Sequence, residues 1–417
     1  MSKKIEIRLN SESVLADCAY NIIVDNLDPH KIYEIKQELK NYYCINVPTN
    51  LGTNNIWESK ISVQADESGR ISLKDSCAID GSYKGIAQMG LFYNSQPKNT
   101  KKIKLPQNLK SIAKNDKFQI VISIVEHGKV IAANSFLRYY QLPTIASKDI
   151  DLGEACGRVF FEKRQSQKPA IIVVSGSDGR IEKAQNIAQL FASHGFVALA
   201  VGYFGLTGLS RNLEKIPIEI IEPSASYLAL LPQVDEKRIG LYGRSKGAEL
   251  ALTAATYFQN IKCVVANSPS NIVLEGMCGW KPSHSSSWTY QGKELPFKKF
   301  HIVQYLLTKI AKRPPSNNPK NAEIRIEKYN GALLCLGAQE DEIWDSAGSI
   351  EKISARIKLR KQSDKTFTAK IYKNCGHILT VANQPNIRYK KHYAWEGSLQ
   401  DSIDSWEQTI NFFQQNL

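Results

Sequence analysis

No apolar run in this sequence is long enough to cross a bilayer, and the opening residues MSKKIEIRLN alternate like a strand instead of forming an export signal. No CxxC pair occurs among the eight cysteines, which stand at positions 18, 44, 77, 156, 263, 278, 335 and 375. Thiols scattered in this way lack the spacing of a zinc site or a redox pair, and without an export signal they are expected to stay reduced in a cytoplasmic protein. Dinucleotide fingerprints are missing too: Gly176-Ser177-Asp178-Gly179-Arg180 lacks the G-x-G-x-x-G spacing. Internal repeats and low-complexity tracts are absent. The expectation is a chain with no cofactor, no metal and no membrane partner.

Acidic residues are in short supply. There are 40 Asp and Glu against 54 Lys and Arg, a formal net charge of +14. The excess comes in short groups such as Lys101, Lys102 and Lys104, or Lys163, Arg164 and Lys168, with no nucleic-acid reader motif around them. A solvated basic surface accounts for this, and no nucleic-acid partner is expected. Such a surface can also steer a phosphate-rich small molecule by long-range attraction.

With 417 residues and 42% hydrophobic content, the chain is too long for one core and rich enough in apolar side chains to build two. Up to residue 145, short β-type runs follow one another at 5–9, 20–24, 57–63, 70–73, 118–124 and 130–138. Asp66-Glu67-Ser68-Gly69 reads as a hairpin turn between two of them. Strands at this spacing, without a convincing helix, predict an antiparallel, immunoglobulin-like β-sandwich over 1–145. The rhythm stops over 146–168, which reads as a linker. From 169 to 417, apolar runs at 171–174, 197–201, 239–242, 263–266, 332–336 and 368–372 alternate with helical patterns at 181–194, 246–258 and 346–359. That alternation predicts an α/β domain with a mainly parallel sheet covered on both faces. The amphipathic stretch 398–417 reads as a packing helix. Residues 268–330 break the alternation and read as a cover over the site.

Gly243-Arg244-Ser245-Lys246-Gly247 follows the strand pattern at 239–242 and opens a helical one. In that context G-x-S-x-G forms a strained strand-to-helix turn that presents the serine hydroxyl above the sheet edge. A serine hydroxyl needs a base, and the base needs a carboxylate to orient it. In the α/β-hydrolase order the acid comes next and the histidine last, each in a loop after a strand. After 332–336 the chain reads Gly337-Ala338-Gln339-Glu340-Asp341-Glu342, where Asp341 is the acid favoured and Glu340 its rival. After 368–372 comes Gly376-His377, and His377 alone of seven histidines has this placement. Charge developing on a carbonyl oxygen must meet fixed donors. Those expected are the backbone N–H of Lys246 and that of Ser177 or Asp178, in the turn Ser175-Gly176-Ser177-Asp178-Gly179.

These residues carry a resemblance to one family, the type I acyl-CoA thioesterases together with the bile acid-CoA:amino acid N-acyltransferases (BAAT). Ser245-Lys246-Gly247-Ala248-Glu249 resembles the family's extended elbow, and Gly376-His377 its histidine loop. Counting back from Trp344 places Asp341 at the family's catalytic aspartate. Ser287-Trp288-Thr289-Tyr290-Gln291-Gly292-Lys293 with Leu295-Pro296 is similar to a segment preceding the acid. In the first half, Trp57-Glu58-Ser59, Gly81-Ser82-Tyr83-Lys84-Gly85 and Met89-Gly90-Leu91-Phe92 resemble the family's N-terminal β-sandwich.

The resemblance implies an α/β-hydrolase domain behind that sandwich. It also implies hydrolysis of an acyl-CoA thioester through a serine acyl-enzyme. Two departures from the family pattern matter. Conjugating members carry cysteine as nucleophile, whereas Ser245 would form an ester that resists amines and favours water. Ser177 and Asp178 stand where relatives are richer in glycine. Transfer of the acyl group to an amino acid, and carboxylester hydrolysis of the dienelactone-hydrolase type, are the alternative readings.

Overall fold

The computed structural model describes residues 4–47, 50–101, 103–164, 166–279, 281–299, 320–360, 366–386 and 395–417. The chain forms two compact units. One comprises Met1–Leu105, Ala113–Pro143 and Thr380–Glu407; the other comprises Pro106–Ile112, Thr144–Leu379 and Gln408–Leu417.

Period-two patterning builds the first unit. In strand Ile32–Lys40 the buried positions are Tyr33, Ile35, Gln37 and Leu39. The neighbouring antiparallel strands Trp57–Gln64 and Lys117–Glu126 alternate in the same way, burying Trp57, Ile61 and Val63, and Phe118, Ile120, Ile122 and Ile124. One face of each strand is therefore apolar and must be covered. A six-stranded and a three-stranded antiparallel sheet result among the described residues, forming an N-terminal β-sandwich. Tyr42, Trp57, Phe92, Phe118 and Tyr140 pack edge-on, stacked or tilted in its core.

Two features of this unit depart from the sequence expectation. The turn at Asp66–Gly69 is present, with Asp66 Oδ1 accepting the Ser68 and Arg70 N–H groups at 2.9 and 2.8 Å. It is not a hairpin, because Trp57–Gln64 pairs in the large sheet while Ile71–Ser72 pairs with Asn21–Asp25 in the small one. Local turn chemistry bends the chain but does not choose the strand's partner. The second departure is that residues 380–407, expected in the C-terminal domain, belong here. Gln384 accepts the Tyr42 and Tyr140 hydroxyls at 2.6 and 3.0 Å and donates to the Ala16 carbonyl, while Trp406 Nε1–H donates to Asp17.

The second unit is an eight-stranded sheet. Its strands are Ile145–Asp151, Cys156–Glu162, Lys168–Val174, Val197–Gly202, Val234–Arg244, Cys263–Asn267, Ala332–Ala338 and Phe367–Tyr372. Numbered along the chain within this sheet, their spatial order is 1-2-4-3-5-6-7-8, antiparallel for the first two strands and parallel thereafter. Lys168–Val174, Val197–Gly202 and Cys263–Asn267 are apolar and buried on both faces, as a sheet with helices on each side requires. Helices Ile181–Ser193, Lys246–Ala255 and Ser346–Ile357 occupy the stretches that have helical spacing in the sequence. The fold is an α/β-hydrolase.

The interval 146–168, read as a linker, instead carries the first two strands of this sheet and the start of the third. Its signal was hidden because Arg158 interrupts the apolar run of Cys156–Glu162. That guanidinium is buried but satisfied by Asp149, Gln185 and the Ile112 and Leu109 carbonyls. The described part of 268–330, the stretch expected to cover the site, contains the short strands Glu275–Cys278, Lys281–Ser286 and Trp288–Tyr290. Trp280 and residues 300–319 of that stretch lie outside the described residues.

Candidate active site

Strand Val234–Arg244 hands directly to helix Lys246–Ala255 through one residue, Ser245. That residue has φ 58° and ψ −123°, a conformation L side chains rarely adopt. The strain is sustained because the turn leaves no room for any other path. A Cβ on Gly243 would sink into the Gly247 carbonyl, and one on Gly247 into the Ser175 carbonyl. Both flanking glycines are thus demanded by close backbone approach. The Ser245 N–H is tied to the Asn267 carbonyl at 2.9 Å, and the Ala248 and Glu249 N–H groups return to the Ser245 carbonyl.

The structure brings Ser245, Asp341 and His377 together. His377 Nε2 lies 2.8 Å from Ser245 Oγ, and His377 Nδ1 lies 3.0 and 2.9 Å from the two carboxylate oxygens of Asp341. An ionised carboxylate only accepts, so the imidazole proton sits on Nδ1 and leaves Nε2 to accept the serine O–H. Burial pushes the Asp341 carboxyl up, but His377, the Ser346 hydroxyl and the Trp344 N–H outweigh it and hold the group below its ordinary value. Ser245 and His377 are nearly enclosed, 9% and 7% exposed, so the pair is shielded from bulk water without being sealed. Of Asp341 and its rival Glu340, the carboxylate that meets His377 Nδ1 is that of Asp341.

Glu342 and Ser268, which the sequence pattern does not single out, act with Trp344 to hold the histidine in place. Its backbone N–H donates to Glu342 Oε2 at 3.0 Å, and its carbonyl accepts the buried Ser268 hydroxyl at 2.8 Å. The Trp344 ring meets the imidazole edge-on with centroids 4.5 Å apart, and its Nε1–H is fixed on the Pro269 carbonyl. Glu342 is adjacent to Asp341, but nothing in a single sequence tells an orienting carboxylate from a backbone acceptor.

The turn Ser175–Gly179 borders the serine. A Cβ on Gly176 would come within 3.0 Å of Ser245 Cβ and 3.4 Å of its Oγ. Tyr203 secures this turn, its hydroxyl lying 2.9 and 2.7 Å from the Ser175 and Gly176 carbonyls. Among the described residues, the backbone N–H groups of Ser177, Asp178 and Lys246 donate to no other protein group. Donors next to a nucleophile with nothing to bond are available to an incoming oxygen. Asp178 lies 3.8 Å from the buried Lys183 ammonium, which offsets its charge at the turn.

Chemically, such an arrangement can draw the serine proton to the imidazole while a carboxylate stabilises the imidazolium that forms. Among the described residues, no group of three or more His, Cys, Asp or Glu side chains is placed to hold a metal ion, and no helix is long and apolar enough to cross a membrane.

Two family models match the chain. Residues 216–417 match "BAAT / Acyl-CoA thioester hydrolase C terminal", and residues 17–151 match "Acyl-CoA thioester hydrolase/BAAT N-terminal region". Acyl-coenzyme A amino acid N-acyltransferase 2 of Mus musculus is 25% identical over 397 residues, covering 91% of this chain and 88% of the relative. Acyl-coenzyme A thioesterase 1 of Homo sapiens is 22% identical over 388 residues, covering 87% of each. Among solved structures, a putative dienelactone hydrolase from Klebsiella pneumoniae superposes with a TM-score of 0.43 at 15% identity, covering 65% of this chain and 99% of that one; a likeness that loose carries no information on substrate. The two matched regions take in both the sandwich and the elbow, histidine and acid loops, and the chain belongs to the enzyme family that unites acyl-CoA thioester hydrolases with bile acid-CoA:amino acid N-acyltransferases.

Proposed function

We propose that this protein is an acyl-CoA thioesterase that hydrolyses its substrate through a Ser245 acyl-enzyme, with His377 as general base and acid and Asp341 as its orienting carboxylate. The observation that carries the reading is the continuous hydrogen-bonded series from Ser245 Oγ through His377 to both oxygens of Asp341, set on the strained elbow of a thioester-hydrolase family member.

In this scheme Ser245 Oγ attacks the thioester carbonyl as its proton passes to His377 Nε2. The carbonyl oxygen gains charge and meets the Lys246 N–H and the N–H of Ser177 or Asp178. The C–S bond then breaks and His377 returns the proton to the departing sulfur, leaving an ester on Ser245 and free CoA. Water, deprotonated by His377, attacks that ester; the acid leaves and Ser245 regains its proton. The site is mostly enclosed, so these electrostatic contacts act in a low dielectric. The family resemblance and the surplus of positive charge both suit a phosphate-rich CoA carrier. Reduced thiols and a cytoplasmic setting, with a place in lipid metabolism, belong to the same reading.

The test is release of free thiol from a panel of CoA thioesters varying in acyl length and head group. Wild-type protein should release CoA, and Ser245→Ala should lose at least about a thousandfold in kcat with an unchanged circular dichroism spectrum. A loss under tenfold would remove Ser245 from the mechanism. The N-acyltransferase reading is favoured by the similarity to the mouse enzyme, and product mass spectrometry with glycine or taurine present separates it from hydrolysis. Amide product in excess of free acid would overturn the thioesterase assignment.

A further inference from the structure

Directly beside Ser245 lies a buried ion pair that the proposed reaction does not use. Lys246 is 3% and Glu249 0% exposed, and the lysine Nζ is 2.8 Å from each oxygen of the glutamate. Burying two charges is costly, and a pair of apolar side chains of similar size would be as stable or more so. The carboxylate also collects two further donors. Glu249 Oε1 accepts the Leu274 backbone N–H at 2.9 Å and the Trp288 indole N–H at 2.7 Å. The donors join two parts of the site: Lys246 comes from the elbow, whereas Leu274 and Trp288 both come from the segment 268–330 that follows strand Cys263–Asn267.

The chain of contacts continues to the other side of the serine. Trp288 packs on Tyr203 with ring centroids 6.0 Å apart, and the Tyr203 hydroxyl holds the Ser175 and Gly176 carbonyls. Gly176 in turn abuts Ser245. The two backbone segments with unpaired N–H groups beside the nucleophile, Lys246 and Ser177–Asp178, are therefore connected through one carboxylate. Burial pushes the Glu249 carboxyl up and the Lys246 ammonium down, each opposed by its partner, so neither charge is tolerated there without the other.

We propose that Glu249 is a positioning residue for the oxyanion hole: it pins Lys246 directly, and through Trp288 and Tyr203 it sets the turn at Ser175–Gly179 against the nucleophile. This rests on the triad reading above but not on the identity of the acyl group. Donors misplaced by a fraction of an ångström lose transition-state stabilisation while leaving substrate binding almost intact. Glu249 thus acts on kcat and not on KM.

The experiment uses the full chain and two readouts: the rate at which a fluorophosphonate probe labels Ser245, and kcat and KM for thiol release from an acyl-CoA. Glu249→Gln should slow labelling and kcat together by about tenfold to a hundredfold, with KM changed less than about twofold. Trp288→Phe, which removes the indole N–H and keeps an aromatic ring, should slow both several-fold. Lys246→Met with Glu249→Leu replaces the pair by apolar side chains; it should unfold at or above the wild-type temperature yet label slowly, a result that a purely structural pair would not give. Should Glu249→Gln fail to fold, the other two variants carry the test. Wild-type labelling rates in folded Trp288→Phe, or in the apolar double variant, overturn the proposal. A wild-type protein that labels with the probe but releases no CoA removes the thioesterase reading and leaves this one standing.

Discussion

Asp341 and its two acidic neighbours occupy one loop but have different surroundings, and their substitutions separate accordingly. Asp341→Asn keeps the volume and loses the charge that fixes the His377 tautomer. It should cut kcat by about 10³- to 10⁴-fold with little change in KM, whereas Glu340→Gln should remain within about twofold of wild type. Steady-state kinetics of the two purified variants decide this. The same carboxyl governs an acid limb of stability. Its folded-state pKa lies below the unfolded value, so the ionised form favours the native state above roughly pH 4, and that contribution is lost as pH falls through the lower, folded value. Urea unfolding between pH 6 and pH 3 should therefore show a flatter acid limb in Asp341→Asn than in wild type.

Loops and turns, more than single side chains, set the geometry of the site. The histidine loop is gripped by its backbone at both polar atoms of His377, through Glu342 and Ser268. Glu342→Ala should lower kcat about tenfold while fluorophosphonate labelling stays measurable, because the imidazole is present but less well held. At the elbow, steric constraint dominates. Gly247→Ala drives a methyl group into the Ser175 carbonyl and should destabilise the protein by about 3 kcal/mol or more, read as a lowered Tm, whereas Ser245→Ala should not. Much of this level was legible from sequence. Strand and helix spacing placed the elbow, the acid loop and the histidine loop, because each is a local pattern of a few residues. Glu342, Ser268, Tyr203, Trp288 and the bonding of Glu249 to the cover were not legible. Their partners lie between 25 and 109 residues away, and hydrogen bonds at that separation leave no mark on periodicity.

For the molecule as a whole, the division into units does not follow the order of the chain. Residues 380–407 follow the histidine loop in sequence but supply Gln384 and Trp406 to the N-terminal unit. A fragment of residues 1–143 would leave the Tyr42 and Tyr140 hydroxyls and the Asp17 carboxylate without these partners, each loss costing about 1–3 kcal/mol. Such a fragment should show no cooperative urea transition, while full-length protein does. In the intact chain, Gln384→Ala should lower the unfolding temperature by several degrees.

What the amino-acid order alone determined was the class of the protein and the chemistry it offers. Alternating and helical spacing, the G-x-S-x-G elbow, and one histidine and one acidic cluster each following a strand are properties of short stretches, set by the periods of strand and helix. What only the tertiary structure decided was which carboxylate faces the imidazole and which strand pairs across a turn. It also decided that the supposed linker is sheet and that the segment after the histidine loop belongs to the first unit. Those outcomes depend on side chains distant in sequence competing for the same space and the same hydrogen bonds, and that competition is resolved only when the whole chain has folded.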